Sequence, residues 1–433
     1  MTDSRPAKGG LCLQPPGRTG PDADVLVLGA GVIGVTTAYA LARRGYSVIV
    51  ADRAEGPAKG SSFANGAQLS YVYTDALAQA GLLVKMPALL AGRDHAFRIH
   101  LSADPDFARW ILAFLRNCTK ARFSANTRAT LELGLESQSA MADLRYRHSF
   151  EFGHATPGKL HIFREASGME CARKIAAIKR PFGVEQEFLS PSQALEIEPA
   201  LQDTDPFEGA LWTPGEEIGD PYRFCRELLS ILRNEYGVDQ RFGFDVISLT
   251  SHEDRFSATS STGETLTARR AVICLGAEAA NFLRDMGIGV PILPMKGYSF
   301  TAPPGRHAPS VSITDTARKI VFCRLGDAIR VAGLADLDAR DRSIEPARMQ
   351  TLLDDAKAAL PHAARYERAG AHWAGLRPMT PDSRPIIKQA APGLFLNVGH
   401  GMLGWTFACG SAERLAALVE SADNDTMTAR KVR

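Results

Sequence analysis

A short apolar run followed at once by a glycine-rich turn and a helix constrains this chain more than any other feature. Asp24-Val-Leu-Val-Leu28 reads as a strand buried on both faces of a parallel sheet. Gly29-Ala30-Gly31-Val32-Ile33-Gly34 follows, then apolar residues at helical spacing from Val35 to Arg44, a stop at Gly45 and a second strand over 47–51. With 38 glycines in 433 residues, GxGxxG alone arises by chance roughly 0.3 times in such a chain. Here the pattern extends through Ala38, Leu41, Val48 and Val50 to Asp52, which chance does not readily supply.

Each position has a mechanical job. Gly29 permits the tight turn, Gly31 lets a pyrophosphate approach bare backbone, and Gly34 and Ala38 let the helix lie close on the strands. The helix N-terminus offers unpaired amides and partial positive charge to phosphates. Asp52 can accept from a ribose diol, and an acid there disfavours the 2′-phosphate of NADP.

The strand–turn–helix–acid pattern serves FAD and NAD alike. Two features favour FAD. Ala271-Val-Ile-Cys-Leu-Gly276 closes a late meander and brings chain back towards the adenosine, and Ser61-Ser-Phe-Ala-Asn-Gly-Ala-Gln68 suits a loop passing along an extended cofactor. The candidate cofactor-binding residues are Val25, Leu26, Val27, Leu28, Gly29, Ala30, Gly31, Val32, Ile33, Gly34, Asp52, Arg53, Ser62, Asn65, Gly276, Gly401 and Gly404.

The rest of the chain alternates between helical and strand patterns without internal repeat. Helices are predicted within 106–150, at 220–236 behind an Asp220 cap and Pro221, at 345–359 and at 403–419. The fold class is α/β (α+β overall): a Rossmann-type FAD-binding domain with an inserted mixed or antiparallel-sheet substrate domain. The expected partition is a disordered lead-in at 1–23, a discontinuous FAD domain at 24–90, 216–290 and 376–433, and a substrate domain at 91–215 and 291–375.

Several segments together carry a resemblance: VLVLGAGVIGV, SSFANGAQLS, PMKGYSFT, ITDTARKIVFCRLGDAIRVAGLAD, WAGLRPMTPDSRPII and NVGHGMLGWTFACGS. The chain resembles the D-amino acid dehydrogenase (small subunit) family of D-amino acid oxidase-type flavoproteins, from about Asp24 to Leu418. The resemblance implies non-covalent FAD and oxidation of D-amino acids to imino acids, hence 2-oxo acids and ammonia. It also implies hydride transfer to flavin N5, with electrons passed to the respiratory chain rather than mainly to oxygen. Glycine, sarcosine, D-hydroxyproline, an opine or another secondary amine is the alternative substrate, with a non-catalytic flavin-binding protein as a third reading.

Arg377, beside Pro378, is the best candidate for the cation that grips the substrate carboxylate, because a guanidinium binds bidentately and stays charged; a structural ion pair, such as one with Asp382, is the alternative. The resemblance places the same residue there. His400, in a glycine turn before the last helix, is a site residue rather than a base, and Lys296 is a candidate beside the flavin. Tyr71, Phe322 and Arg324 are weaker candidates for a substrate roof.

The charge balance of 50 basic and 48 acidic residues argues against nucleic acid. Seven scattered cysteines at 12, 118, 171, 225, 274, 323 and 409 read as buried thiols in a cytoplasmic protein, and no metal-ligand spacing occurs. The stretch 107–123 and the apolar 81–92 together suggest peripheral contact with the inner face of the cytoplasmic membrane, near a quinone acceptor.

Overall fold

A computed structural model describes residues 22–90, 92–252 and 255–431, so most of the expected lead-in lies outside the described residues. The opening strand, Ala23–Leu28, sits between Val48–Asp52 and Thr265–Ile273, parallel to both. Asp239–Phe242 extends this sheet on one side and Leu394–Val398 on the other, again in parallel. Burial on both faces explains the all-apolar composition of these strands. The antiparallel strands Val246–His252 and Arg255–Ser260 feed into Thr265–Ile273 as the meander expected from their alternation.

Helix Val32–Ala42 begins at the glycine turn itself, earlier than the apolar periodicity places it. It shares a buried core with Phe224, Leu228 and Leu232 of helix Pro221–Tyr236 and with Ala412, Leu415 and Val419 of the last helix, Gly404–Lys431. Asp220 caps Pro221–Tyr236 as expected, accepting from the amides of Tyr222 at 2.9 Å and Arg223 at 3.1 Å.

The second sheet runs, in spatial order, through Gly370–Met379, Leu293–Ala302, Ala328–Leu337, Ile320–Leu325, Ser312–Asp315, Lys159–Phe163, Gly209–Thr213 and Glu187–Leu189. One face carries Tyr298, Phe300, Ile313 and Phe322 against Met349 and Leu352 of helix Pro346–Ala359. The opposite face carries Arg377, Gly297, Ser299 and Arg330.

Two boundaries differ from the sequence partition. Strand Gly370–Met379 belongs whole to the second sheet, so a domain cut at 376 would fall inside it. Helix Lys120–Arg147, assigned by position to the substrate domain, buries Met141 and Leu144 in the core around the nucleotide helix. An amphipathic period shows that one helix face is covered, not which layer covers it.

Candidate active site

The glycine turn is fixed by close backbone approach. A Cβ on Gly34 would fall 1.7 Å from the carbonyl oxygen of Gly29, and one on Gly29 would fall 2.5 Å from that of Cys274. Gly29 also has φ +108°, which disfavours L side chains. Gly31 stands at the N-cap of the helix without a side-chain cap, leaving its first amides directed at the crevice beside the strand ends. Ser62 covers one of them, accepting from Val32 N at 3.1 Å.

Asp52 accepts from Ala30 N at 2.7 Å through Oδ2 and from Ala54 N at 2.8 Å through Oδ1. Each carboxylate oxygen keeps acceptor capacity for a ribose hydroxyl. Arg53 pairs with Glu278, just past Gly276, whose φ of +59° turns the chain away from the strand end. These residues bound a crevice at the carboxyl ends of parallel strands, where dinucleotides lie. Glycines whose Cβ has no room and bare helix amides fit a pyrophosphate ligand.

Residues 61–75 form a strap that crosses the second sheet strand by strand. Ser61 Oγ donates to the carbonyl of Leu376, Ser299 Oγ to that of Ala64, and Arg330 to that of Asn65. Gln68 donates to Ser312 Oγ at 2.6 Å and accepts from Lys159 Nζ at 2.8 Å, and Lys179 donates to the carbonyl of Val72. Asn65 Oδ1 turns back to Ala67 N at 2.9 Å. The strap thus starts beside the glycine turn, at Ser62, and carries chain along the sheet face that bears Arg377.

Arg377 is partly exposed, and burial pulls its pKa down to about 10, which leaves it charged at neutral pH. Its Nη1 donates to the carbonyl of Leu334 at 3.1 Å. Among the described residues no carboxylate reaches it within ion-pair distance, so the Asp382 pairing is not formed. A Cβ on Gly297, across from Gly375, would meet its Nη2 at 2.2 Å, so the guanidinium lies flat over bare backbone. Trp373 lies over Gly375 in the same way. Leu334 holds φ +56° at the bulge opposite Lys296 and Tyr298, and this sharp backbone turn aims its carbonyl at the arginine. Gly297, Gly375, Trp373 and Leu334 escaped sequence reasoning. A glycine inside a strand pattern was the available signal for the first two.

His400 is buried, and burial drives its pKa down to about 3, so it is neutral at working pH. Among the described residues neither its Nε2 nor Asn397 Oδ1, nearby in sequence, has a hydrogen-bond partner. Flanking Gly399 and Gly401 adopt φ +78° and +56°, and Gly404 starts the last helix. Lys296 pairs with Leu376 and therefore projects from the face opposite Arg377. Its ammonium is held by Asp341 at 3.0 Å and the carbonyl of Ser343 at 3.2 Å. The structure does not bring Lys296 together with the arginine. Phe322 lies in the core under helix Pro346–Ala359, Tyr71 donates to Glu217, and Arg324 is exposed, so none forms a roof over Arg377. Cys171 is exposed, unlike the buried Cys118, Cys225, Cys274, Cys323 and Cys409.

A dinucleotide crevice beside a mixed sheet whose Arg377 meets no carboxylate among the described residues is the arrangement of a dinucleotide-dependent oxidoreductase. The chain belongs to the DAO family, described as FAD dependent oxidoreductase, which it matches over residues 24–418. FAD is its cofactor. It is 39% identical over 407 residues to D-amino acid dehydrogenase 2 of Ralstonia nicotianae, covering 91% of this chain and 96% of that relative. Identity to D-amino acid dehydrogenase of Paramagnetospirillum magneticum is 37% over 401 residues, covering 91% and 94%. In fold it is similar to glycine oxidase from Geobacillus kaustophilus, with TM-score 0.73, 20% identity and coverage of 92% and 95%. It is also similar to L-proline dehydrogenase from P. horikoshii, with TM-score 0.71, 18% identity and coverage of 92% and 93%.

Proposed function

We propose that this chain is a D-amino acid dehydrogenase that uses Arg377 to hold the substrate carboxylate. The carrying observation is a guanidinium whose single hydrogen-bond partner among the described residues is a backbone carbonyl, spread over Gly297 on the sheet face crossed by the strap. A carboxylate offers two acceptors that match its free donors. The relatives named D-amino acid dehydrogenase, at 37% and 39% identity over most of the chain, support this substrate class.

The glycine turn 29–34, the first amides of helix Val32–Ala42 and Asp52 would hold FAD, which would supply a two-electron acceptor for the hydrogen leaving the substrate α-carbon. The chain's own contribution is to bind and orient. Arg377 fixes the carboxylate, and with it the direction of the α-hydrogen. His400, uncharged, adds a neutral polar edge rather than a second cation, and the amides at the start of Gly404–Lys431 favour negative charge nearby. The imino acid that leaves takes up water to give a 2-oxo acid and ammonia.

The acceptor of the electrons is proposed to be a quinone at the inner face of the cytoplasmic membrane. The support is reduced relative to the sequence pattern, because Trp110 and Phe114 of helix Pro105–Asn117 pack inward against Met295 and Met379. Trp110 Nε1 donates to the carbonyl of Met379 at 2.9 Å. What remains outside is Leu83, Leu101, Leu112 and Leu115 with Arg109 and Arg116. Co-flotation with anionic liposomes at low salt tests this contact, and absence of co-flotation removes it.

The substrate reading is tested by mixing the yellow protein anaerobically with D- and L-amino acids, glycine, sarcosine and D-hydroxyproline. Bleaching by several D-amino acids is the expected result. Bleaching by one secondary amine alone assigns that substrate instead, and no bleaching by any amine leaves a flavin-binding protein without turnover. Arg377→Ala is expected to retain FAD and lose roughly 100-fold or more in kcat/KM, the worth of a charge-assisted pair of hydrogen bonds.

A further inference from the structure

Three charged residues in one short loop each hold a different part of the molecule. After strand Ala328–Leu337 the chain runs through Arg340-Asp341-Arg342. Arg340 pairs with Asp104 at 2.9 Å, at the cap of helix Pro105–Asn117. Asp341 takes the buried ammonium of Lys296 at 3.0 Å, and Arg342 crosses to Glu278 of the nucleotide-binding sheet at 2.9 Å.

Glu278 sits in the turn just after strand Thr265–Ile273, and the oxygen that accepts from Arg342 also takes Arg53. Arg53 follows Asp52 directly, and the two strand ends that carry Arg53 and Glu278 flank the glycine turn. The Arg342 guanidinium also lies over Gly60, 3.7 Å from where its Cβ would be. A row Arg53–Glu278–Arg342 therefore spans the mouth of the crevice at its adenosine end, with the last member supplied by the other sheet.

We propose that the 338–343 loop is a clasp that closes the adenosine end of the FAD crevice, and that breaking Arg342 from Glu278 opens it for cofactor exchange. Lys296 is a positioning residue in this arrangement: its buried ammonium holds Asp341, one residue from the arginine that crosses. The pairs are 39–45% exposed, so the clasp yields on its own and more readily in salt.

The test follows FAD release from the diluted holoenzyme by the rise in flavin fluorescence, at low and high salt. Arg342→Gln is expected to release FAD about two- to fivefold faster at low salt, the worth of one exposed ion pair. Glu278→Gln, which cuts both links, is expected to be faster still, and the double variant no faster than Glu278→Gln alone. Wild type approaches the variants as salt rises, while turnover at saturating FAD stays unchanged in Arg342→Gln. Arg284→Gln breaks a different pair between the domains, with Asp106 at 3.0 Å, and is the control expected to match wild type. Unchanged release in Arg342→Gln and Glu278→Gln, or equal acceleration in Arg284→Gln, overturns the clasp. A wild-type protein that retains no FAD overturns the cofactor assignment, and the clasp with it.

Discussion

A Cβ placed on Gly297 falls 2.2 Å from Nη2 of Arg377, far inside van der Waals contact, so the guanidinium lies across the sheet only while residue 297 has no side chain. The same strand register that pairs Gly297 with Gly375 puts Met295 opposite Arg377, so the bare patch and the cation share one face. Gly297→Ala should therefore displace the guanidinium without touching the FAD crevice. The expected outcome is full flavin content with kcat/KM for a D-amino acid substrate reduced roughly 100-fold, since misplacing a positioning group by about 1 Å costs that much. Steady-state kinetics beside the flavin-to-protein absorbance ratio checks it, and an unchanged kcat/KM would show that the arginine does not need the gap. Gly34 is a harsher position: its Cβ would meet the Gly29 carbonyl at 1.7 Å, and no side-chain movement relieves a clash with backbone.

Among the elements, helix Pro221–Tyr236 was readable end to end. Asp220 accepts from two amides, Pro221 takes the first turn, and Gly237 ends it with φ +66°. Asp220→Ala should cost about 1 kcal/mol through loss of that cap, seen as a lower urea midpoint with an unchanged slope. The nucleotide strands and the glycine turn were equally legible, because their composition and spacing answer local demands. Helix Pro105–Asn117 shows where such reading stops. Its stripe of Phe107, Trp110 and Phe114 predicts a covered face, and the cover is Met295, Leu337 and Met379 from strands nearly two hundred residues or more away. The strap was legible only as small and amide residues suited to a loop. Its order comes from partners such as Ser312 and Leu376, which no local pattern in 61–75 encodes. Lys296 was misplaced for a related reason: strand period fixes that it alternates with Met295 and Gly297, and only the pairing shows which face holds the site.

Across the whole molecule, the strap joins the two sheets through a buried polar cluster whose titration gives the fold a characteristic response to acid. Lys159 and Lys179 anchor the strap, His161 lies beside Tyr73 with neither ring nitrogen hydrogen-bonded among the described residues, and Glu216 accepts from Val72 N at 2.9 Å. Burial, reinforced by the two lysines, holds the His161 pKa well below 6.5, and burial holds that of His400 at about 3. Burial raises that of Glu216 from 4.5 to about 7. As pH falls below about 6.5 the unfolded chain takes up two histidine protons that the fold refuses, which lowers stability. Over the window from 7 down to 4.5 the fold instead holds the Glu216 proton that the unfolded chain lacks, which opposes that loss. Between pH 6.5 and 4.5 the two histidines therefore pull stability down with falling pH while Glu216 holds it up. Below 4.5 the Glu216 contribution ends, and the loss steepens. Glu216→Gln keeps an acceptor for Val72 but removes the opposing titration. It should therefore steepen the fall of stability with falling pH between 6.5 and 4.5, measured from urea midpoints at constant ionic strength. Parallel slopes for variant and wild type would show that Glu216 ionises at an ordinary pKa despite its burial.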